Sequence, residues 1–415
     1  MNGKLSVKDI NIKGKRVLMR VEFNLPMEND KITSNYRLVS TLPTIQLCID
    51  RGAKSIIILS HIGKPGRQVS LRPVAKELQR LLKRSVQFVD SCVGEIVEET
   101  CGKADNGSVI LLENVRFHIE ETGTGLDQCG NEIFATKEEI SNFRNRLSKL
   151  GDVFVNDAFG VAQRGHSSMT GINLEIRASG LLMEKELHFF TELIRNPERP
   201  FFCILGGAKV GDKVKLIENL LDKIDGLVIG GGMAFTFLKI KHEIPIGDSL
   251  FDNDAADCVT RIMKRADVLG LNIHLPVDFI TAERMDSEDN LRVDSIKNGI
   301  PAGRAGFDCG PTTTKKFANA IANAKTIFWN GPMGVFERSQ FSKGTRDLMS
   351  SVAELTKNGV KTVIGGGDSA AACHKFGMTD AMTHVSTGGG ASIAFLEGRE
   401  LPGITYLSNA NEFHC

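Results

Sequence analysis

The stretch Ile364-Gly365-Gly366-Gly367-Asp368-Ser369 decides how this chain is read. A β-branched run, 361–364, precedes it, and a helix-forming run, 370–375, follows. The pattern is strand, glycine turn, helix start. Glycines let a backbone come close to a bulky anion. A helix N-terminus offers free N–H groups and positive dipole charge to phosphate. Asp368 stands where a divalent cation bridges to that phosphate, and Ser369 adds a hydroxyl. Taken alone, the segment reads equally well as a tight turn capped by Asp368.

The same device recurs in the second half. Residues 202–205 lead into Gly206-Gly207-Ala208-Lys209-Val210-Gly211-Asp212-Lys213, and 227–229 into Gly230-Gly231-Gly232-Met233. Residues 326–329 lead into Asn330-Gly331-Pro332-Met333-Gly334, and 383–385 into Ser386-Thr387-Gly388-Gly389-Gly390-Ala391. Five such units predict one sheet whose turns gather along the rim at the strands' carboxyl ends, where open parallel sheets bind ligands.

The first half alternates strand-like and helix-like segments. Strands are expected at 16–23, 55–60, 86–89, 108–112 and 152–156, with helices at 36–51, 71–83, 92–100 and 137–150. The polar, Gly-containing stretch 121–132 reads as a surface loop or hairpin. Continuous apolar strands between helices predict a parallel sheet covered on both faces. The strand exits carry Arg20, Glu22 and Asn24, then His61 and Lys64, then Glu113, Asn114 and Arg116, then Asn156, Asp157, Arg164 and His166. Arg37 opens the first helix. A shared edge would gather Arg20, Arg37, His61, Lys64, Arg116, Arg164 and His166 into a cationic pocket for a small, multiply charged anion, since arginine grips carboxylate or phosphate with two parallel bonds. Taken singly, each also reads as a surface cation or a partner for Glu22, Glu113 or Asp157.

A chain of 415 residues exceeds what one core usually serves, so two domains are expected. Hydrophobic content of 41%, charged content of 24% and a net charge of +1 fit a globular protein, and nothing global points to nucleic acid or membrane. There is no long apolar span and no signal-peptide pattern at 1–16. Nine cysteines without metal-ligand spacing read as reduced thiols of a cytoplasmic protein. A helix at 179–196, ended by Asn196-Pro197-Glu198-Arg199-Pro200, separates a first domain, 1–178, from a second, 197–401. It also reads as a covering helix of the first sheet. The tail, 402–415, leaves the sheet pattern.

Residues 206–213 lack the P-loop spacing, and no dinucleotide fingerprint follows the first strand. Lys209 and Lys213 are expected one turn apart on a helix start, facing the same way. Two ammoniums beside a phosphate chain neutralise charge on a transferring group. With a small-anion holder in the other half, phosphoryl transfer fits. No general base stands out, and a carboxylate acceptor needs none.

Arg20-Val21-Glu22-Phe23-Asn24-Leu25-Pro26, Ser60-His61-Ile62-Gly63-Lys64-Pro65, Glu113-Asn114-Val115-Arg116-Phe117 and Asn156-Asp157-Ala158-Phe159-Gly160, together with the five glycine turns, resemble the signatures of phosphoglycerate kinase, in order from about residue 5 to 409. The resemblance implies an α/β protein of two doubly wound, Rossmann-like parallel-sheet domains facing a cleft. It also implies a long hinge helix, a tail that crosses back to the first domain, and a monomer. The implied reaction is 1,3-bisphosphoglycerate plus MgADP to 3-phosphoglycerate plus MgATP, reversibly. Arg20, Glu22, Phe23, Asn24, Arg37, His61, Lys64, Arg116, Gln163, Arg164 and His166 would line the phosphoglycerate site. Arg37, Lys209, Gly367 and Gly390 would act on the transferring group. Gly207, Ala208, Lys209, Lys213, Gly231, Gly232, Leu250, Gly306, Asn330, Gly331, Met333, Phe336, Glu337, Gly367, Asp368 and Ser369 would hold the nucleotide, with Asp368 on magnesium. Against the usual pattern Glu22 replaces Asp, Lys64 replaces Arg, Gln163 replaces His and Ser369 replaces Thr. Met285 and Phe307 exchange aromatic and aliphatic character near adenine. Weaker phosphoglycerate binding is expected from Lys64 and Gln163. The rivals are a nucleotide-binding regulator without turnover, a dinucleotide-dependent dehydrogenase, and a scaffold role on the surface.

Overall fold

The computed structural model describes residues 3–29, 31–63, 68–127 and 129–413. The chain divides into two units, Met1–His188 with Glu400–Cys415, and Phe189–Arg399.

In the first unit the strands are β1 (Arg16–Arg20), β2 (Ser55–Leu59), β3 (Val86–Val89), β4 (Ser108–Leu112), β5 (Val153–Asn156) and β6 (Arg177–Ser179). They form one sheet in the order β6-β5-β1-β2-β4-β3, with every pairing parallel. Side chains alternate between faces along a strand, and both faces here are covered. Val17, Met19, Ile56, Ile58, Leu111, Val153 and Val155 enter one core with Leu38 and Ile45 of helix Tyr36–Asp50 and Val74 and Leu78 of helix Arg72–Leu82. Leu18, Ile57, Leu59, Ile110, Leu112 and Phe154 enter the other with Val97 of helix Glu95–Gly102 and Phe143 and Leu147 of helix Lys137–Ser148. Burial on both sides is why these strands read as unbroken apolar runs. Because all six strands run the same way, their C-terminal ends share one edge.

Residues beyond 400 complete this unit. Leu5 N donates to Ser408 O at 2.9 Å, Gly403 N to Ala162 O at 2.8 Å, and Asn156 Nδ2 to Gly403 O at 2.9 Å. The Arg177 guanidinium lies 4.9 Å from the Tyr406 ring centre, within cation–π range.

The second unit repeats the plan with β7 (Phe201–Leu205), β8 (Gly226–Ile229), β9 (Asn272–His274), β10 (Thr326–Asn330), β11 (Lys361–Gly365) and β12 (His384–Val385), in the order β9-β8-β7-β10-β11-β12, again all parallel. A three-stranded antiparallel sheet of Asp278–Ala282, Arg292–Ser295 and Ala305–Cys309 accompanies it. The helix expected over 179–196 runs Leu181–Arg195, and the unit boundary falls inside it. Its first turn is held by Asp157, whose carboxylate accepts from Met183 N at 3.0 Å and Thr44 Oγ1 at 2.5 Å. No helix among the described residues is long and apolar enough to cross a membrane.

Candidate active site

β1 ends at Arg20, a side chain only 1% exposed. Its Nε donates to Ser168 Oγ at 2.8 Å, and one terminal nitrogen donates to the Val21 carbonyl. The other lies 3.0 Å from His61 Nδ1 and 4.0 Å from Glu121 Oε1. Burial, joined by the charges of Arg20 and Arg116, pushes the His61 pKa well below its usual value. Burial with Arg20, Arg164 and Arg116 pushes His166 down to about 3. Both imidazoles are therefore neutral at neutral pH, and the positive charge is carried by guanidiniums, which do not titrate there.

Glu22 follows in the loop after β1. Its Oε1 sits 3.3 Å from an Arg37 terminal nitrogen, its Oε2 has no hydrogen-bond partner, and burial raises its pKa against the pull of Arg37 and Arg20. The same Arg37 nitrogen donates to the Asn24 carbonyl at 2.6 Å, and Asn24 Oδ1 accepts from Gly63 N at 2.9 Å. Arg116 donates to the Gly63 carbonyl, and burial lowers its pKa to about 10, with Arg164 and Arg20 adding to the effect. Phe23 is buried, and its N–H donates to Ser60 Oγ at 2.9 Å. Gln163 Oε1 is buried without a partner, while the exposed Arg164 side chain makes no hydrogen bond or ion pair among the described residues. Lys64 lies outside the described residues. Four arginines against two largely buried carboxylates leave a net positive edge, suited to an anion of more than one charge.

In the second unit three glycine turns interlock. Gly206 N donates to Asn330 O at 3.0 Å, Gly207 N to Pro332 O at 2.9 Å and Met233 N to Gly207 O at 3.0 Å. A Cβ on Gly231 would lie 2.6 Å from Gly207 N, and one on Gly331 would lie 3.1 Å from Gly206 Cα. No other residue type fits that approach. A hollow beside them brings together Gly231, Gly232, Gly306 and Met333, with Phe235 and Phe279. Leu250 stands next to Gly232, and Ala208 packs behind it. Lys375 Nζ donates to the Phe336 and Glu337 carbonyls at 2.9 and 3.0 Å.

Closer to the opening stretch, Lys213 Nζ donates to Asn330 Oδ1, and Asn330 Nδ2 donates to Gly365 O at 2.8 Å. Burial lowers the Lys213 pKa, and Asp368 pulls it back up. Ser369 Oγ accepts from Gly331 N at 2.6 Å. Gly367 begins the helix Gly367–Lys375 and Gly390 begins Gly390–Leu396. A Cβ on Gly389 would lie 3.5 Å from Gly367 N, so the two helix starts adjoin. Asp368 is exposed in the first turn, and its carboxylate accepts no hydrogen bond among the described residues. Lys209 is exposed and also makes none.

The phosphoglycerate kinase family model matches residues 7–399. The chain belongs to the phosphoglycerate kinase family. It is 51% identical to phosphoglycerate kinase 1 of Equus caballus and 52% identical to phosphoglycerate kinase of Gallus gallus, each over 414 residues covering 99% of both chains. Phosphoglycerate kinase from Coxiella burnetii superposes with a TM-score of 0.81 at 37% identity, covering 97% of this chain and 98% of that one. The structure from Pyrococcus horikoshii OT3 gives 0.82 at 31% identity with the same coverage. Phosphoglycerate kinases catalyse the reversible glycolytic phosphoryl transfer between 1,3-bisphosphoglycerate and ADP, and this chain is a kinase of that family.

Three expectations need correcting. Lys209 and Lys213 do not share a helical turn, because Gly211–Lys213 is a 3-10 turn and the helix begins at Val214 and ends at Leu220. Gly211 donates to Asp252 Oδ2 at 2.9 Å instead of into a helix ladder. Among the described residues Glu113 and Asp157 make no ion pair with the cations at the strand exits, the pairing that each cation taken singly suggests. Glu113 accepts from Leu71 N, Asn114 N and Ser70 Oγ, while Asp157 caps a helix. Finally, the stretch from Glu121 reads in sequence as a surface loop or hairpin, yet the Glu121 side chain is fully buried beside Arg20 and Ser168. The hairpin Thr124–Leu126 with Glu132–Phe134 begins just beyond it. Its only sequence signal was an acidic pair, Glu120-Glu121, close behind the Arg116 strand exit.

Proposed function

We propose that the first unit holds 3-phosphoglycerate or 1,3-bisphosphoglycerate through Arg20, Asn24, Arg37, His61, Lys64, Arg116 and Arg164, with Glu22, Phe23, Gln163 and His166 lining the site. The second holds ADP or ATP through the interlocked glycine turns, Lys213, Ser369 and the helix start at Gly367. The observation that carries the reading is the meeting of two helix N-termini beside an exposed Asp368 and the buried Lys213 amine. Such a rim supplies N–H donors and a cation to a phosphate chain.

A carboxylate nucleophile is already an anion, so the reaction needs position and neutralisation of charge more than proton transfer. Arg37, held by Glu22 and Asn24, would neutralise the transferring group from the acceptor side. Lys209, whose side chain makes no hydrogen bond among the described residues, would follow that group, and the N–H groups of Gly367 and Gly390 would receive its oxygens. Among the described residues no three His, Cys, Asp or Glu side chains come together as a metal site. A single free carboxylate still fits Mg2+, which is commonly held by one or two carboxylates plus nucleotide phosphate. Asp368 would hold it, and the ion would neutralise phosphate charge. On this reading residues 1–178 and 197–401 act as substrate and nucleotide domains, and the 179–196 helix is a hinge that brings the two ligands together. The protein would be a cytoplasmic monomer without nucleic-acid or membrane partners. A coupled assay of ATP- and 3-phosphoglycerate-dependent acyl phosphate formation tests the function. Nucleotide binding without turnover would favour the regulator instead.

A further inference from the structure

Glu121 has no part in the roles assigned so far. Its side chain is fully buried next to Arg20, itself 1% exposed. A carboxylate in such a place is costly unless it is paired and hydrogen-bonded. Oε2 accepts from Ser168 N at 2.8 Å, and Oε1 accepts from Ser168 Oγ at 2.6 Å. Burial raises the Glu121 pKa, and Arg20 with the two Ser168 bonds pulls it back; in its ionised form the carboxylate only accepts, so the hydroxyl proton of Ser168 then points to it. That leaves the Ser168 lone pairs for Arg20 Nε at 2.8 Å. The direct contact from Arg20 to Glu121 is 4.0 Å, too long for a hydrogen bond. The coupling therefore runs through the hydroxyl.

The direction is forced at the next step as well. A guanidinium has no acceptor, so the nitrogen 3.0 Å from His61 Nδ1 must be the donor and Nδ1 must be bare. The ring proton is then on Nε2. His61 is 1% exposed, so this arrangement is not exchanged freely with water.

We propose that Glu121, acting through Ser168, is a positioning residue of the phosphoglycerate site: it fixes Arg20, and Arg20 holds His61 as the Nε2–H tautomer, an uncharged donor for a substrate oxygen. The proposal rests on the phosphoglycerate reading of this site. It divides the work at the anion edge: arginines provide charge, and His61 provides direction only.

The test uses the 15N-labelled full chain, with the His61 tautomer read from long-range proton–nitrogen correlation and KM and kcat measured for both substrates. In the unaltered chain His61 shows a neutral Nε2–H ring at neutral pH. Ser168→Ala and Glu121→Gln each turn His61 into a mixture of tautomers. They raise the KM for 3-phosphoglycerate about tenfold, the usual effect of losing a charge-assisted hydrogen bond, and leave the KM for ATP in place. Ser168→Thr, which keeps the hydroxyl, restores the tautomer. Ser168→Ala removes one oxygen and leaves the Ser168 N–H on Glu121, so the test does not depend on Glu121→Gln folding. Unchanged His118 ring signals report an intact first unit. A His61 ring protonated on Nδ1 in the unaltered chain, or both variants with an unaltered tautomer and KM, overturns the proposal. Loss of 3-phosphoglycerate turnover from the unaltered chain would instead overturn the functional reading, and the tautomer measurement would still decide this one.

Discussion

Gly160 and Glu22 make a pair whose coupling can be measured. A Cβ on Gly160 would overlap Glu22 Oε2 and lie 2.8 Å from Glu22 Cδ. Ordinary carbon contact needs ~3.5 Å, so in Gly160→Ala the carboxylate must withdraw by roughly 1–2 Å. That movement breaks the 3.3 Å contact between Glu22 Oε1 and Arg37. Arg37 is half-buried, with the Asn24 carbonyl as its other partner. Loss of one partner at such a site costs about 1–3 kcal/mol, or roughly 5- to 150-fold in the KM for 3-phosphoglycerate. Glu22→Asp shortens the side chain by one bond of about 1.5 Å, which vacates the space a methyl group would take. Gly160→Ala should therefore be harmful beside Glu22 and mild beside Asp at position 22. The assay is a four-member cycle of KM and kcat from coupled initial rates. The expected coupling is about 1–2 kcal/mol, with the double variant better than Gly160→Ala alone. Additivity within about 0.5 kcal/mol would refute the reasoning, because it would mean that Gly160 does not confine the Glu22 carboxylate.

Lys213→Met should raise the KM for ATP by about tenfold or more, since a charged donor on the phosphate chain is lost, while the KM for 3-phosphoglycerate holds steady; equal changes in both would place Lys213 outside the nucleotide site. Asp368→Asn should need about tenfold more Mg2+ for half-maximal rate and recover at saturating metal, as a metal titration of the two chains would show. Burial pushes the Asp157 carboxyl up to about 6, outweighing the Thr44 hydroxyl and the Met183 and Leu182 N–H groups. A raised acid pKa means that the folded chain binds the proton more tightly, so this group's contribution is full below its unfolded value, ~3.9, and is lost as pH rises through 6. At about 1.4 kcal/mol per unit the loss is at most ~3 kcal/mol. Urea melts between pH 4 and 7 should therefore fall less steeply in Asp157→Asn than in the unaltered chain.

The parallel sheets were legible because their strands are apolar on both faces. The runs at 55–59 and 108–112 admit few other readings, and the exit residues follow from the shared strand direction. The antiparallel sheet was not legible. Asp278–Ala282 and Arg292–Ser295 are short, carry Asp278, Thr281, Arg292, Asp294 and Ser295 among their few apolar residues, and are separated by charged residues that resemble a loop. Acidic residues misled for a related reason. Sequence shows that Glu113, Glu121 and Asp157 lie near cations, but it does not show whether a carboxylate meets a guanidinium, a hydroxyl or a helix N–H. Those outcomes are set by where backbones end in space. The Lys209–Lys213 spacing failed likewise, since a helical period holds only once the helix has begun.

The first unit is discontinuous: the stretch that supplies Gly403, Tyr406 and Ser408 comes after all 211 residues of Phe189–Arg399. A ribosome making this chain must release the whole second unit before Leu5, Asn156 and Arg177 can meet these late partners. The nascent first unit must therefore wait with part of its edge open, and the second can mature ahead of it. Early truncation after residue 399 should then leave the later-made half the sounder of the two.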